Sequence, residues 1–200
     1  MPALSTINTD QIVITASRVP EAEAQTPASV TIIDSVEIER LGEPLVTNLL
    51  RLTPSAAVTP IGPAGSLTEV RIRGSEANHS LLFVDGIKIN DPASGDAPRF
   101  ELLNADLASR IEVVRGPQSA LWGSDAIGGV IALNGLDDAP GFTGSAEGGS
   151  FGFARASASG SITAGAANLS GAVGWQRATG IDSFGKAGGD RDGYSNLSGR

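Results

Sequence analysis

The chain has 200 residues, enough for one ordinary domain with its own core and part of a second unit. Its formal net charge of -8 disfavours a nucleic-acid partner, because a phosphate backbone calls for a basic surface. The absence of cysteine excludes disulfides and thiolate metal sites.

The first residues, 1–7, contain neither a basic n-region nor an apolar h-region, so we expect no signal peptide within this chain. We therefore expect either a start numbered after processing or a piece of a longer protein. No apolar run approaches the ~18 residues that a transmembrane helix needs, so any membrane role is expected to depend on β-strands.

Residues 1–27 are polar and rich in Ala, Pro and Glu, which predicts a flexible N-terminal arm. Ile12, Val13 and Ile14 form one apolar stretch within it. The pattern alone allows two interpretations of this stretch. It is either an ordinary edge strand or an unpaired segment that a partner's sheet takes up by strand addition.

Residues 28–139 have the pattern of a compact α/β domain. The β-branched run 29–33 predicts a strand. A helix is predicted to follow it, with Asp34 as the N-cap, Glu37 in the capping-box position and Gly42 as the stop.

A second helix is predicted from Pro44 to just before Pro54, with Leu45, Leu49 and Leu52 on one face. Alternating or continuous apolar runs predict further strands, at 68–73, 81–84, 87–89, 111–115 and 128–133. Asp85-Gly86 between two of these runs predicts a hairpin with a primed turn.

Residues 140–200 are rich in Gly, Ala and Ser and carry no helix signals. Segments of about ten residues alternate weakly, with aromatic residues near their ends, which is typical of transmembrane barrel strands. The pattern alone also allows a Gly-rich surface hairpin or a disordered tail.

Five segments in chain order resemble the TonB-dependent receptors of Gram-negative outer membranes. Within that family, the segments 72–80 and 123–129 are most similar to receptors for vitamin B12 (cobalamin), although siderophore and sugar receptors share the same frame. The five segments are 11–16, 70–74, 82–86, 111–117 and 119–130.

The resemblance implies an α+β plug domain, a mixed sheet with short helices, held inside a 22-stranded barrel. Only the first few antiparallel strands of such a barrel fit into this chain. The implied function is ligand-gated, TonB-energised import across the outer membrane, of vitamin B12 or of a ferric siderophore, without an enzymatic step. The outward plug loops, 58–66 and 90–98, are expected to bind the ligand together with barrel loops.

The resemblance also implies the partner of the N-terminal arm. Its apolar stretch and flanking residues match the TonB box, the segment that binds the periplasmic energy transducer TonB. The residues concerned are Gln11, Ile12, Val13, Ile14, Thr15 and Ala16.

Arg73 and Arg115 each close a predicted strand and precede a glycine. By pattern alone they are solvated charges at strand ends. The resemblance implies instead that they anchor the plug by pairing with glutamates of the barrel. Arginine suits this role, because its planar guanidinium binds carboxylates bidentately and stays charged.

Asp182, Asp190 and Asp192 lie in a Gly-rich stretch after Trp175. The order Asp-Arg-Asp-Gly at 190–193 is similar to the opening of a calcium loop, but the terminal glutamate of an EF-hand is missing. The resemblance implies calcium-ordered external loops at a similar place. A solvated acidic loop is the alternative.

No group of residues predicts catalysis. His79 is the single histidine and has no visible co-ligands, which favours a polar loop residue over a metal or triad site. Gly123, Gly128 and Gly129 lack the Lys-Ser/Thr of a phosphate loop, so they predict tight turns. The rival to a receptor is a soluble, Gly-rich β module for binding or adhesion.

Overall fold

The computed structural model of the protein describes residues 12–13, 21–22, 26–135, 141–165, 167–182, 185, 189 and 191–200. Residues 26–135 form a five-stranded mixed sheet with short helices and two small strand pairs. Residues 141–199 contribute a four-stranded antiparallel sheet. The helices are α1 (Ser35–Leu41), α2 (Val46–Leu50) and α3 (Ser119–Trp122), with 3-10 turns at Ala77–His79, Pro92–Ser94, Phe100–Leu102 and Ala105–Leu107.

The strands follow in chain order. Those before residue 136 are β1 (Ile12–Val13), β2 (Glu21–Ala22), β3 (Ser29–Ile33), β4 (Ala56–Pro60), β5 (Thr68–Ile72), β6 (Ser80–Val84), β7 (Ile87–Lys88), β8 (Asn90–Asp91), β9 (Ala97–Pro98), β10 (Arg110–Arg115) and β11 (Gly129–Asn134). The later strands are β12 (Gly141–Gly148), β13 (Ala154–Ala164), β14 (Ala167–Ala178) and β15 (Tyr194–Gly199).

The five-stranded sheet has the order β3-β10-β11-β6-β7. Its neighbours are antiparallel except for β6 and β11, which run parallel. β6, β10 and β11 are buried along nearly their whole length, which explains their continuous apolar sequences. The main core packs α1 and α2 against this sheet, with residues including Ile33, Leu49, Leu50, Ile72, Leu82, Phe100, Ile111 and Ile131.

The first helix begins and ends where the sequence predicts. The side chain of Asp34 accepts a hydrogen bond from the backbone N–H of Glu37 at 2.8 Å. Gly42 ends the helix in the left-handed region, with φ 63°. The carboxylate of Glu37 pairs with Arg40 at 3.0 Å, so the reciprocal half of a capping box is replaced by an ion pair on the helix surface.

The second helix is shorter than predicted. Leu45 is its N-cap with an extended backbone, and Leu49 is fully buried as expected. Leu52 is 52% exposed, so its predicted place on the buried face is wrong. The N–H of Leu52 donates to the carbonyl of Leu49, three residues back, and this tighter turn rotates Leu52 off the apolar face.

The turn between β6 and β7 confirms the predicted hairpin. Asp85 and Gly86 both have positive φ, 49° and 79°, as a primed turn requires. Val84 and Ile87 face each other on either side of the turn. The predicted strand 68–73 ends one residue early, because Arg73 has φ 53° and so leaves the extended region.

The sheet β12-β13-β14-β15 is an antiparallel meander with apolar and polar residues on opposite faces. Its outer face exposes large apolar side chains, with Phe142 80% and Leu197 73% exposed. Its inner face carries hydroxyl, amide and charged groups and packs on residues 26–135. This alternation confirms the predicted type of strand. Among the described residues, no helix is both long and apolar enough to cross a membrane.

Candidate functional site

The inner face of the antiparallel sheet contacts the preceding α/β region through a network of amides. Asn104 stands just before the 3-10 turn Ala105–Leu107 and is 3% exposed. Its Oδ1 accepts a hydrogen bond from Nε2 of Gln176 in β14, and its Nδ2 donates to Oγ of Ser198 in β15 at 3.1 Å. Asn196 donates to the Leu102 carbonyl at 3.1 Å. Two neighbouring strands are thus tied to the same turn.

A second contact centres on Arg155 of β13. Its Nε lies 2.7 Å from the carboxylate of Glu147 on β12, and its Nη1 lies 3.6 Å from Asp106. Its Nη2 donates to the carbonyl of Gly42, at the end of α1, at 3.0 Å. Burial raises the pKa of Asp106, and the guanidinium of Arg155 opposes that rise. Arg155 therefore compensates a carboxylate that is partly removed from water.

Arg200, which follows β15, makes a third contact. Its guanidinium pairs with the carboxylate of Asp85 and donates to the carbonyl of Leu107. Asp85 also accepts a hydrogen bond from the Gly135 N–H at 2.8 Å. The turn between β6 and β7 is therefore held beside the end of β11 and the end of β15.

Arg73 and Arg115 lie at the same end of the five-stranded sheet. Arg73 donates to Oγ of Ser29 at 3.2 Å. Arg115 donates to the carbonyls of Pro54 and Val30, each at 3.3 Å. Nε of Arg115 is buried without a hydrogen bond from any described residue. Neither arginine forms an ion pair within the described part of the chain, so their pairing with glutamates stays a prediction.

The first predicted ligand loop, 58–66, includes the tip of the β4-β5 hairpin. Gly65 packs against Tyr194, the first residue of β15, so closely that a Cβ at Gly65 would lie 3.0 Å from the tyrosine Cβ. A cavity of about 210 Å³ lies beside the tip, and its walls include Arg51 and Glu101.

The second predicted ligand loop, 90–98, is fixed by polar contacts. The amide of Asn90 bonds to the N–H of Leu82 at 2.9 Å and to the carbonyl of Asp96 at 2.7 Å. Lys88 pairs with Asp96 at 2.7 Å and with Asp125 at 3.2 Å. Because Asp96 accepts this hydrogen bond, the pKa of Lys88 is raised, and the bond from Lys88 lowers the pKa of Asp125.

The predicted calcium ligands are described only in part. Asp182 accepts a hydrogen bond from the Gly185 N–H at 2.9 Å. Asp192 lies just before β15, whereas Asp190 is outside the described residues. Within the described part of the chain, no three His, Asp or Glu residues are grouped as metal ligands. Calcium binding stays a prediction.

The N-terminal arm is described at two short places. Ile12 faces Ala22 and Val13 faces Glu21 in an antiparallel pair. Ile12 and Val13 are therefore paired within the chain, which agrees with the edge-strand interpretation for these two residues. Gln11, Ile14, Thr15 and Ala16 lie outside the described residues, and TonB binding stays a prediction.

His79, Gly128 and Gly129 lie where segments of backbone contact each other. The carbonyl of His79 accepts a hydrogen bond from the Gly128 N–H at 2.8 Å. A Cβ at Gly128 would overlap the hydroxyl of Ser75, and one at Gly129 would overlap the Val114 carbonyl. These glycines therefore allow backbone segments to approach closely.

Sequence reasoning missed Asn104, Arg155 and Gln176, which make contacts between the antiparallel sheet and the turns of residues 26–135. One available signal was the alternation of β13 and β14. It places Arg155 and Gln176 on the inner, polar face, directly opposite each other in the register. A charged residue on the packed face of a sheet needs a polar partner, which residues 26–135 supply here.

Three comparisons with known proteins bear on this arrangement. A sequence profile of the TonB-dependent Receptor Plug Domain family matches residues 22–130. The chain is 39% identical over 124 residues to "Vitamin B12 transporter BtuB" of Vibrio vulnificus (strain YJ016). This match covers 62% of the chain and 20% of that relative, so the chain spans about a fifth of its length.

Solved structures show the same fold. The chain is similar to the pyoverdine receptor FpvA of Pseudomonas aeruginosa, with a TM-score of 0.74 and 21% identity over 90% of this chain and 24% of that one. The siderophore receptor PiuA of Acinetobacter baumannii gives a TM-score of 0.70 and 20% identity over 96% of this chain and 26% of that one. Similarity at this identity concerns the fold alone.

Proposed function

Because the chain belongs to the TonB-dependent receptor plug domain family, we propose that it is part of an outer-membrane receptor of a Gram-negative bacterium. The receptor imports a small ligand with energy that TonB transmits. It carries out no covalent step. Its proposed parts are the arm 1–27, the plug 28–139 and the first barrel strands 140–200.

One observation carries this proposal: the plug packs on the polar face of a sheet whose opposite face is apolar and exposed. Asn104 and Gln176 are buried at the contact, while Phe142 and Leu197 point away from it. A sheet with this polarity suits a wall between lipid and a filled lumen. It disfavours the rival soluble module, which would expose these apolar side chains to water.

The proposed ligand is vitamin B12. The support is the 39% identity to a protein named as a vitamin B12 transporter, together with the similarity of segments 72–80 and 123–129 to that group of receptors. A ferric siderophore is the second candidate, because the solved structures with this fold include siderophore receptors.

The lengths of the strand connections suggest which side meets the ligand. The long connection 179–193 and the turn 149–153 lie at one end of the sheet, and the short turn 165–166 lies at the other. Longer loops of such barrels are extracellular. Gly65 packs on Tyr194 at the end with the long connection, which supports an outward position for loop 58–66.

On this assignment, loops 58–66 and 90–98 bind the ligand from outside, and Asp182, Asp190 and Asp192 bind calcium in an external barrel loop. Hard carboxylate oxygens are suitable ligands for calcium. Residues 11–16 bind TonB on the periplasmic side by strand addition. Arg73 and Arg115 anchor the plug to later barrel strands.

A binding screen on the full-length receptor tests the proposed ligand. Outer membranes from cells that express it would be titrated with cyanocobalamin, haem and ferric pyoverdine. We expect saturable binding of cyanocobalamin, and uptake of it by energised cells that lack another receptor. Saturable binding of a ferric siderophore without cobalamin binding would move the receptor to the second class. Binding of none of the three ligands would contradict both assignments.

A further inference from the structure

A cleft separates the plug from the first two barrel strands. It has a volume of about 630 Å³, which is larger than a few water molecules occupy. One wall is formed by α1 and residues 105–109, and the other by the inner faces of β12 and β13. We call it the interface cleft.

The barrel wall of the interface cleft is a ladder of paired hydroxyl groups. Thr143 and Ser159 face each other with their oxygens 2.6 Å apart, and those of Ser145 and Ser157 are 2.8 Å apart. The Oγ of Ser161, farther along β13, is buried without a hydrogen bond from a described residue. This wall offers hydrogen bonds to water or to polar solutes along its length.

The ladder ends at the ion pair of Glu147 and Arg155. These residues are the next register pair on the same face of β12 and β13. The side chain of Arg155 leaves the barrel wall and crosses to the plug, where it contacts Asp106 and the Gly42 carbonyl. It is the side chain that joins the two walls of the interface cleft at this point.

Resting on the receptor function proposed above, we propose that Arg155, Glu147 and Asp106 form a clasp that seals the interface cleft, and that opening it lets small polar solutes pass between plug and barrel. The hydroxyl ladder supplies the polar path, and the Arg155 side chain blocks it. The clasp holds the plug against the barrel wall. It is separate from the outward loops that are proposed to bind the ligand.

The charges favour a closed clasp only while Arg155 is present. Without the guanidinium, the carboxylates of Asp106 and Glu147 have no cation between them. Burial and, to a smaller extent, the charge of Glu147 already raise the pKa of Asp106. Repulsion between these like charges pushes the plug and the wall apart. Asp106 is mostly buried, so removing the guanidinium of Arg155 leaves its charge uncompensated.

The test uses purified full-length receptor in planar lipid bilayers, without ligand and without TonB. We expect Arg155→Ala to raise the conductance in potassium chloride at least about tenfold over wild type, because the bias toward the sealed state is lost. Arg177→Ala is the matched control. Arg177 lies on the outer face of β14, over the ring of Trp175 at 6.0 Å, so its removal should leave the conductance unchanged.

A second variant identifies the path. Adding Ser159→Phe to Arg155→Ala fills the interface cleft, so we expect it to return the conductance to near the wild-type value. Wild-type conductance in Arg155→Ala would overturn the proposal. A raised conductance that Ser159→Phe does not reduce would overturn it as well. An unchanged melting temperature in detergent shows that each variant is folded. Because the conductance is measured without ligand, failure of the clasp is distinguishable from failure of the proposed ligand.

Discussion

Gln176 of β14 donates a hydrogen bond to Asn104 of the plug, and the two side chains are only 2% and 3% exposed. They are 72 residues apart in the chain, so their contact depends on how the plug and the barrel strands pack. Nδ2 of the same asparagine donates to Ser198 at 3.1 Å. One plug residue therefore ties two adjacent strands together.

Asn104→Ala should lower the free energy of unfolding of the full receptor by about 1–3 kcal/mol, because it leaves the amide of Gln176 buried without its partner. Urea unfolding in detergent, followed by tryptophan fluorescence, measures the change. Asn168→Ala is the control, because Asn168 is exposed near the other end of β14. Equal stability of the two variants would contradict a structural role for the Asn104 network.

Gly129→Ala should destabilise the plug by about 1–3 kcal/mol, because the added methyl group overlaps the Val114 carbonyl inside the sheet. A backbone carbonyl in a paired strand cannot move aside as a flexible side chain can. Gly141→Ala is the matched control, since a Cβ at Gly141 meets no atom within 4 Å. Thermal unfolding of both variants measures the difference, and equal melting temperatures would show that the sheet adapts.

Arg115→Ala should loosen the plug in the full receptor, at a cost of about 3–5 kcal/mol if a barrel glutamate is its partner. Its buried Nε, without a hydrogen bond from a described residue, is the observation behind this expectation. Arg73→Ala should act in the same direction. Arg71→Ala is the control, because Arg71 is exposed and pairs with its neighbour Glu69 at 2.6 Å. Unchanged unfolding and unchanged membrane leakage in both Arg115→Ala and Arg73→Ala would refute the anchoring role.

The contact of Lys88 with Asp96 and Asp125 should make the stability of loop 90–98 depend on pH, both at high pH and at low pH. The pKa of Lys88 is raised, so its stabilising effect is complete below the ordinary lysine pKa and is lost as pH rises through the raised value. The pKa of Asp125 is lowered, so its effect is present above the ordinary aspartate pKa and is lost as pH falls through the lowered value.

Amide exchange of loop 90–98 in wild type and Lys88→Met measures this effect. Comparing the two proteins at each pH cancels the intrinsic pH dependence of exchange. Between the lowered pKa of Asp125 and the raised pKa of Lys88, we expect slower amide exchange in the wild-type loop than in the variant. Outside this range, we expect equal exchange in the two proteins. A difference that does not depend on pH would show that the lysine acts through packing alone.

Local signals made much of the fold predictable. Asp34 as N-cap, Gly42 as stop and Asp85-Gly86 as turn each depend on a few neighbouring residues, and the structure contains all three. The apolar run at 81–84 predicted a buried strand for the same reason. The predicted position of Leu52 was wrong because a tighter last turn changed the helical periodicity, and the pattern of leucines does not reveal that change.

The contacts between plug and barrel were not predictable in this way. Arg155 meets Asp106 because β13 lies beside one particular 3-10 turn, and no local pattern encodes that placement. The alternation of β13 indicates only that Arg155 points inward. Which plug residue it meets is decided by the packing of the whole sheet.

The most direct test of TonB-energised import concerns the N-terminal arm. Val13→Pro removes a backbone donor and fixes φ, so it interrupts the strand pairing that TonB binding needs. Val13→Ala keeps the donor and should be milder. Val19→Pro places the same residue in the arm outside the TonB box, and it serves as the matched control.

The measurement pairs equilibrium binding of cyanocobalamin to outer membranes with its uptake by energised cells, using the full-length receptor. We predict that Val13→Pro abolishes uptake and leaves affinity nearly unchanged, while Val19→Pro preserves both. Normal uptake by Val13→Pro would contradict the assignment of residues 11–16 as the TonB-binding segment, and with it the proposed route of energy into this receptor.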